Sequence, residues 1–384
     1  MHNTCDILIL TAHFGSGHLS VSKAIEGYIQ DKDNRIKVHI VDMYEVIRPV
    51  LHTWMYKGFQ FLIKYAVPVY NYDYYKKNNS EGYNKLHTCK SSLKRLAEYL
   101  QEVQPSLIIS TFPTCSSYIT AYKKQYDNDI PLITCITDVV KGNEWVNHGD
   151  NQYYVVATHD VEDSLVQKGI KSQQVLTAGI PIRPEFLQPK DALTLRQVQG
   201  IAADEFVILM MGGGLGLIPD TEDFYQWIEE HTSIRLYIIT GHNEELYKKI
   251  EPYNNGRNIH VLAYTDQIAD MMAYADLLIT KPGGITLFEA LSSHLPFIIY
   301  KPILGQECEN GKYIADKKLG MIVQSETALK SAITQFMEDE RMRQDVLRHI
   351  EKERHQIDME AMVQYILDIL DVAAENRGEK NVGH

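Results

Sequence analysis

One stretch of this chain carries the residue types that bind phosphate: Ile279-Thr280-Lys281-Pro282-Gly283-Gly284-Ile285-Thr286-Leu287-Phe288-Glu289-Ala290. An apolar run ends at Thr280, two glycines free the backbone, and Ile285 to Ser293 has the 3.6-residue spacing of a helix packed on a sheet. A strand, a glycine turn and a helix start in that order leave unpaired backbone N–H groups at the positive end of a helix dipole, which suits phosphate. Glu289 stands one turn into that helix, and a carboxylate there can take two hydroxyls, as on a ribose. Gly-rich turns also occur in any parallel α/β domain, so the stretch taken alone leaves both readings open. Lys281 either touches phosphate or only snorkels from the strand end. A second turn of this kind, Thr11-Ala12-His13-Phe14-Gly15-Ser16-Gly17-His18, puts His18 at a helix start over the carboxyl end of a sheet. A histidine there can be a general base with a pKa near the working pH, or it can simply cap the turn. Asp138, just after an apolar run, can position a hydroxyl or orient a base, or cap its own loop. Trp145 and His148 follow in a loop at the same edge.

These side chains need strands to position them. Apolar runs predict strands at Asp6 to Leu10, Lys37 to Asp42, Leu107 to Ser110, Leu132 to Ile136, Tyr153 to Ala157 and Val175 to Ala178 in the first half. The second half repeats the rhythm at Phe206 to Met211, Leu236 to Thr240, Ile259 to Ala263, Leu277 to Thr280, Phe297 to Tyr300 and Met321 to Val323. Helices fall between them, including Leu19 to Gln30 and Glu162 to Lys168. Strands alternating with helices imply an α/β fold of two doubly wound, Rossmann-like parallel sheets with a cleft between their carboxyl ends. The stiff segment Gly179-Ile180-Pro181-Ile182-Arg183-Pro184-Glu185-Phe186 marks the boundary. The expected organisation is a first domain over 1–180, a second over 181–354, a C-terminal helix within 355–374 packing back on the first domain, and a disordered tail over 375–384.

A chain of 384 residues has length for two cores, and its 45% apolar and 23% charged content is that of an ordinary soluble protein. No secretory signal or membrane-spanning run is read. Five widely spaced cysteines without Cys-x-x-Cys suit a reducing cytoplasm and argue against a cysteine metal site. The net charge of -12 is uneven: residues 46–100 hold nine basic and three acidic side chains, +6, which leaves -18 for the remainder. The same segment is crowded with aromatics, among them Trp54, Tyr56, Phe59, Phe61 and Tyr65, with Lys57 and Lys64 between them. That mixture suits an anionic membrane interface and not general nucleic-acid binding; a pair of core-facing helices with exposed tyrosines is the other reading. Asn71 to Gly82 reads as a mobile loop.

Several motifs together resemble one family. Ile7-Leu8-Ile9-Leu10-Thr11-Ala12 with Gly15-x-Gly17-His18, Thr111-Phe112-Pro113, Thr137-Asp138 with Trp145, Tyr154-Val155-Val156-Ala157-Thr158 and Gly179-Ile180-Pro181-Ile182-Arg183-Pro184 lie in the first half. Ile279 to Ala290 and Tyr300-Lys301-Pro302-x-x-Gly305-Gln306-Glu307-x-Glu309-Asn310 lie in the second. In this order and spacing the chain resembles the processive diacylglycerol glucosyltransferases and monogalactosyldiacylglycerol synthases, and more distantly the lipid II-forming N-acetylglucosaminyltransferase. The resemblance implies a GT-B fold, two doubly wound Rossmann-like domains facing a central cleft. It implies a UDP-hexose donor in the second domain and a diacylglycerol or glycolipid acceptor in the first. On the same resemblance Gly212, Gly213, Gly214, Gly283 and Gly284 face the diphosphate, Tyr264 flanks uracil, Glu289 takes the ribose and Gln306 with Glu307 read the sugar. Gly17, Gly241, Lys281, Pro282, Ile285, Thr286 and Asn310 complete the donor set. Trp54, Tyr56, Lys57, Phe59, Phe61, Lys64, Tyr65 and Trp145 would meet acceptor or membrane. The family's Ala-x-Gly stands here as Gly212-Gly213-Gly214, and Val139 replaces the aromatic expected after Asp138.

The implied reaction is a single inverting displacement that makes a β-glycoside, with His18 or Asp138 as the base. No metal or other cofactor is expected, since the helix dipole supplies the positive potential. The expected location is cytoplasmic, peripherally on the cell membrane. Rival readings are a same-fold transferase with a soluble or polyprenyl-linked acceptor, a UDP-sugar epimerase that needs no acceptor, and a UDP-sugar sensor without turnover.

Overall fold

The computed structural model describes residues 4–79, 89–139, 142–213 and 216–382. Gly214, Val140, Lys141 and the Ser80–Gly82 end of the expected loop lie outside the described residues. Two compact units form the chain, one from residues up to Pro184 with those from Gln356 onward, the other spanning Glu185–His355.

The first unit is built on six strands: β1 (Ile7–Thr11), β2 (Val38–Asp42), β3 (Leu107–Ser110), β4 (Leu132–Cys135), β5 (Gln152–Val156) and β6 (Val175–Thr177). They form one parallel sheet in the order β2-β1-β3-β4-β5-β6. The second unit has β7 (Phe206–Met211), β8 (Ile234–Ile239), β9 (Ile259–Leu262), β10 (Leu277–Thr280), β11 (Phe297–Tyr300) and β12 (Gly320–Val323), also parallel, in the order β12-β11-β10-β7-β8-β9. Strands covered by helices on both faces read as unbroken apolar runs. That is why β3, β7, β10 and β11 fall where the runs predict, while the others differ only at their ends. In each sheet the strand order reverses once, between β1 and β3 and between β7 and β10. In open parallel sheets ligands sit beyond the carboxyl ends of strands at such a reversal. Leu10 lies beside Ser110, and Thr280 beside Met211, so each pair of neighbouring strands ends at the same level.

Two expectations are corrected. The segment from Asn71, read as a loop, is helical as part of Val67–Asn79. Pro68 sits in the first turn of that helix, where a missing N–H costs nothing, and Tyr74 four residues after Tyr70 stacks on it and is buried. The C-terminal helix, Met359–Val382, continues through most of the tail that was read as disordered. Its residues Ala373-Ala374-Glu375 and Arg377 are good helix formers. This helix is tied to the first unit: the Asp358 N–H donates to the Ala178 carbonyl at 3.0 Å, and Tyr365 meets Tyr153 edge-on. Among the described residues no helix is long and apolar enough to cross a membrane.

Candidate active site

At the β1/β3 reversal, the helix Ser16–Lys32 starts behind Gly15, whose φ of 130° is open to glycine and strained for other residues. His18, in its first turn, is half-buried. Its Nδ1 lies 2.9 Å from the Thr111 carbonyl after β3 and 3.0 Å from Thr137 Oγ1 after β4. A carbonyl only accepts, so the proton resides on Nδ1 and Nε2 keeps its lone pair, the form of imidazole that can take a proton. Burial lowers the His18 pKa, while the charge of Asp138 and the bond to Thr111 pull it back up. With its pKa held below the ordinary value, the His18 ring favours the neutral form, which can accept a proton at Nε2. Asp138 is buried beside it and acts on it through charge. The Phe112 ring meets His18 edge-on at 5.0 Å, and Phe14 stacks on Phe112 at 5.3 Å.

A cluster that the sequence reading did not assemble, although it named Tyr56, ties to the same loop through His13. Asp42, at the end of β2, caps the following helix through Tyr44 N–H at 2.8 Å. Its second oxygen accepts the Tyr56 hydroxyl at 2.5 Å and lies 2.8 Å from His13 Nδ1. The Tyr56 oxygen in turn accepts the His13 N–H at 3.2 Å. Burial first, and then Asp42, push the Tyr56 phenol well up, so it remains a donor. The only signal for this cluster was composition, because its members lie 14 and more residues apart. Among the described residues, His13, Asp42 and Glu45 are the one group with metal-ligand spacing, their ligand atoms within 4.8 Å. They line a pocket of about 460 Å³. Both Asp42 oxygens accept from the protein, Oδ1 from the Tyr44 N–H and Oδ2 from the Tyr56 hydroxyl.

The helix His52–Tyr65 divides its aromatics between two faces. Tyr56 and Phe59 pack on Phe14 at 4.8 and 5.1 Å. Trp54, Phe61 and Tyr65 are 73%, 63% and 65% exposed, with Lys57 over the Trp54 ring and Lys64 over Tyr65. Trp145, expected at the acceptor or membrane, is corrected: it is 1% exposed and packs with Ile136, Tyr154 and Leu165 in the core, where an indole's large apolar surface is most favourably placed.

At the β7/β10 reversal, Gly212 and Gly213 follow β7, and Lys281 to Gly284 follow β10. Gly213 has φ 60°, and a Cβ there would come within 2.4 Å of Lys281 Cε. The lysine stem therefore lies along bare glycine backbone and carries Nζ to 3.3 Å from Glu307 Oε1. Glu307 is 4% exposed and also accepts from the N–H of Leu304, the N-cap of its own helix, at 3.5 Å. Asn310 Nδ2 donates to the Pro282 carbonyl at 3.0 Å. Gly283 precedes the helix Gly284–Ser292 and offers no side-chain cap, so the first-turn amides of Gly284, Ile285 and Thr286 have no helical acceptor. Glu289 is buried in that helix and Gln306 is half-buried. After β8, Gly241 at φ 61° leads into His242, whose ring stacks on the exposed Tyr264 after β9, centroids 4.5 Å apart at 11°. Tyr264 is the residue the resemblance assigns to uracil, and the sequence reading gives His242 no role.

Comparisons with known proteins place the chain. Residues 18–182 match the family model "Monogalactosyldiacylglycerol (MGDG) synthase", and residues 208–362 match "Glycosyltransferase family 28 C-terminal domain". The processive diacylglycerol beta-glucosyltransferase of Staphylococcus carnosus is 30% identical over 337 residues, 87% of this chain and 85% of that protein. Among solved structures, the glycosyltransferase of kitacinnamycin matches with a TM-score of 0.61 at 14% identity, covering 96% of this chain and 99% of that one. Anabaena HepE in complex with UDP matches with a TM-score of 0.54 at 13% identity, covering 96% and 100%. The fold, two Rossmann-like parallel-sheet units in one chain, is that of the GT-B glycosyltransferases.

Proposed function

This chain belongs to the family of the processive diacylglycerol β-glucosyltransferases, and from that premise we propose that it moves a hexose from a UDP-sugar to diacylglycerol or a glycolipid, with inversion, at an anionic membrane surface. The observation that carries the chemistry is the His18 imidazole with Nδ1 on the Thr111 carbonyl. That bond fixes the tautomer whose Nε2 can remove the acceptor's hydroxyl proton. The oxygen then attacks the anomeric carbon as the bond to the diphosphate breaks, and Asp138 stabilises the imidazolium that forms. The departing UDP takes its charge onto the first-turn amides beyond Gly283 and the turn at Gly212-Gly213. Tyr264 and His242 supply ring faces for the base, and Glu289 and Glu307 supply acceptors for hydroxyls. No metal enters this scheme.

The exposed face of the helix His52–Tyr65 supports the membrane half of the reading. Three large aromatics with lysines over two of them offer apolar area to the headgroup region and charge to anionic lipid. A panel of UDP-sugars with diacylglycerol in mixed micelles, read by product mass and UDP release, tests the proposal. It predicts a hexosyl-diacylglycerol and UDP release only when lipid is present. Isomerised UDP-sugar without acceptor, or transfer only to soluble acceptors, would overturn it.

A further inference from the structure

The Lys281–Glu307 pair answers a question that a lysine at a phosphate turn always raises, namely which group its charge serves. Three observations bear on it. The lysine stem occupies the space that a side chain at Gly213 would need, so its course is fixed by the turn itself. Its ammonium lies 3.3 Å from Glu307 Oε1. Glu307 is buried, and among the described residues its other hydrogen bond is the long contact from Leu304 N–H at 3.5 Å.

A buried carboxylate that loses its counter-charge is strongly disfavoured, so the ammonium is not free to leave. The pair is also neutral as a unit and adds little net potential for a diphosphate, which the uncapped helix start attracts already. An ionised carboxylate beside such a site repels phosphate oxygens and accepts from hydroxyls. We infer that Lys281 is a positioning residue for Glu307, holding that carboxylate in place to read hydroxyls of the transferred sugar, and does not bind the diphosphate.

This inference rests on the donor assignment proposed above, and the experiment separates the two. UDP and UDP-hexose affinities are measured by calorimetry on the full chain, with kcat/KM for UDP-glucose and UDP-galactose in diacylglycerol micelles. Lys281→Met should leave the Kd of UDP within about twofold while lowering kcat/KM for the preferred UDP-hexose at least about thirtyfold, and should flatten the ratio between the two epimers. Glu307→Gln should show the same split, the double variant should be no worse than either, and Lys281→Arg should recover most of the lost discrimination. UDP binding by each variant reports that the unit is folded. A Lys281→Met protein that loses UDP affinity as severely as UDP-hexose affinity overturns the inference, as does a Lys281→Arg protein without recovery. Wild-type protein that binds no UDP removes the donor assignment itself.

Discussion

The base reading of His18 makes a prediction that a packing role does not. General-base catalysis contributes about 10²–10⁴ in rate, so His18→Gln, which keeps an amide near Thr111 and Thr137, should lower kcat/KM at least about a hundredfold, or about 2.7 kcal/mol at 1.36 kcal/mol per decade. The pH profile is the sharper test. Burial holds the His18 pKa below its ordinary value, and a base works only when unprotonated, so activity should persist below pH 6.5 and fall only as pH drops through the lowered pKa. Asp138 is the charged group that raises that pKa, alongside the bond to Thr111. Removing its charge in Asp138→Asn should therefore move the acid limb to still lower pH, while the plateau rate falls because the imidazolium loses its counter-charge. The linkage for stability has the same sign: the unfolded chain binds the His18 proton more readily, so this group's contribution is full above the unfolded pKa and is lost as pH falls below it. The assay is initial-rate kinetics in mixed micelles from pH 4.5 to 9, with the folded fraction followed by circular dichroism. An acid limb that moves upward in Asp138→Asn, or full activity in His18→Gln, would refute the assignment.

Other consequences are direct. Gly213→Ala forces an L-residue into φ 60°, a strain of roughly 1–2 kcal/mol, and pushes Lys281 off its course. Scanning calorimetry should show a Tm lower by about 2–8 °C, together with the sugar-specific loss of Lys281→Met; an unchanged Tm would remove the close approach. Replacing Trp54, Phe61 and Tyr65 together by serine should lower partitioning to anionic vesicles at least about a hundredfold, at about 1.5–3 kcal/mol per fully buried large side chain. Turnover of a short-chain, water-dispersed acceptor should remain, and undiminished sedimentation with vesicles would contradict the membrane role of this face. Activity should survive exhaustive chelation within about twofold; a larger loss restored by a divalent cation would overturn the metal-free scheme.

How much of this was legible in sequence depended on range. Buried parallel strands announce themselves because both faces are apolar, and the glycine turns announce themselves because Gly213 and Gly15 need φ values other residues resist. Those two signals placed His18 and the Lys281 turn correctly along the chain. They could not tell that His18 would find Thr111 and Thr137, 93 and 119 residues away, or that Lys281 would find Glu307. Such pairs come from sheet order, which local patterns do not carry. The polar, tyrosine-rich segment after Val67 was misread because its helix is secured by ring stacking and by buried Tyr74, while its composition resembles a loop. Trp145 was misplaced for a related reason: an aromatic near a predicted edge can face lipid or fill a core, and only its neighbours decide.

The most direct test of the central claim is the anomeric configuration of the lipid product. Purified full-length protein, UDP-α-hexose and diacylglycerol micelles are incubated, and the glycolipid is examined by proton NMR and mass spectrometry. A single displacement with His18 as base predicts a hexosyl-diacylglycerol with the large anomeric coupling of a β-glycoside, absent when His18→Gln is used. An α-linked product, or a β-linked one formed equally by His18→Gln, would contradict it.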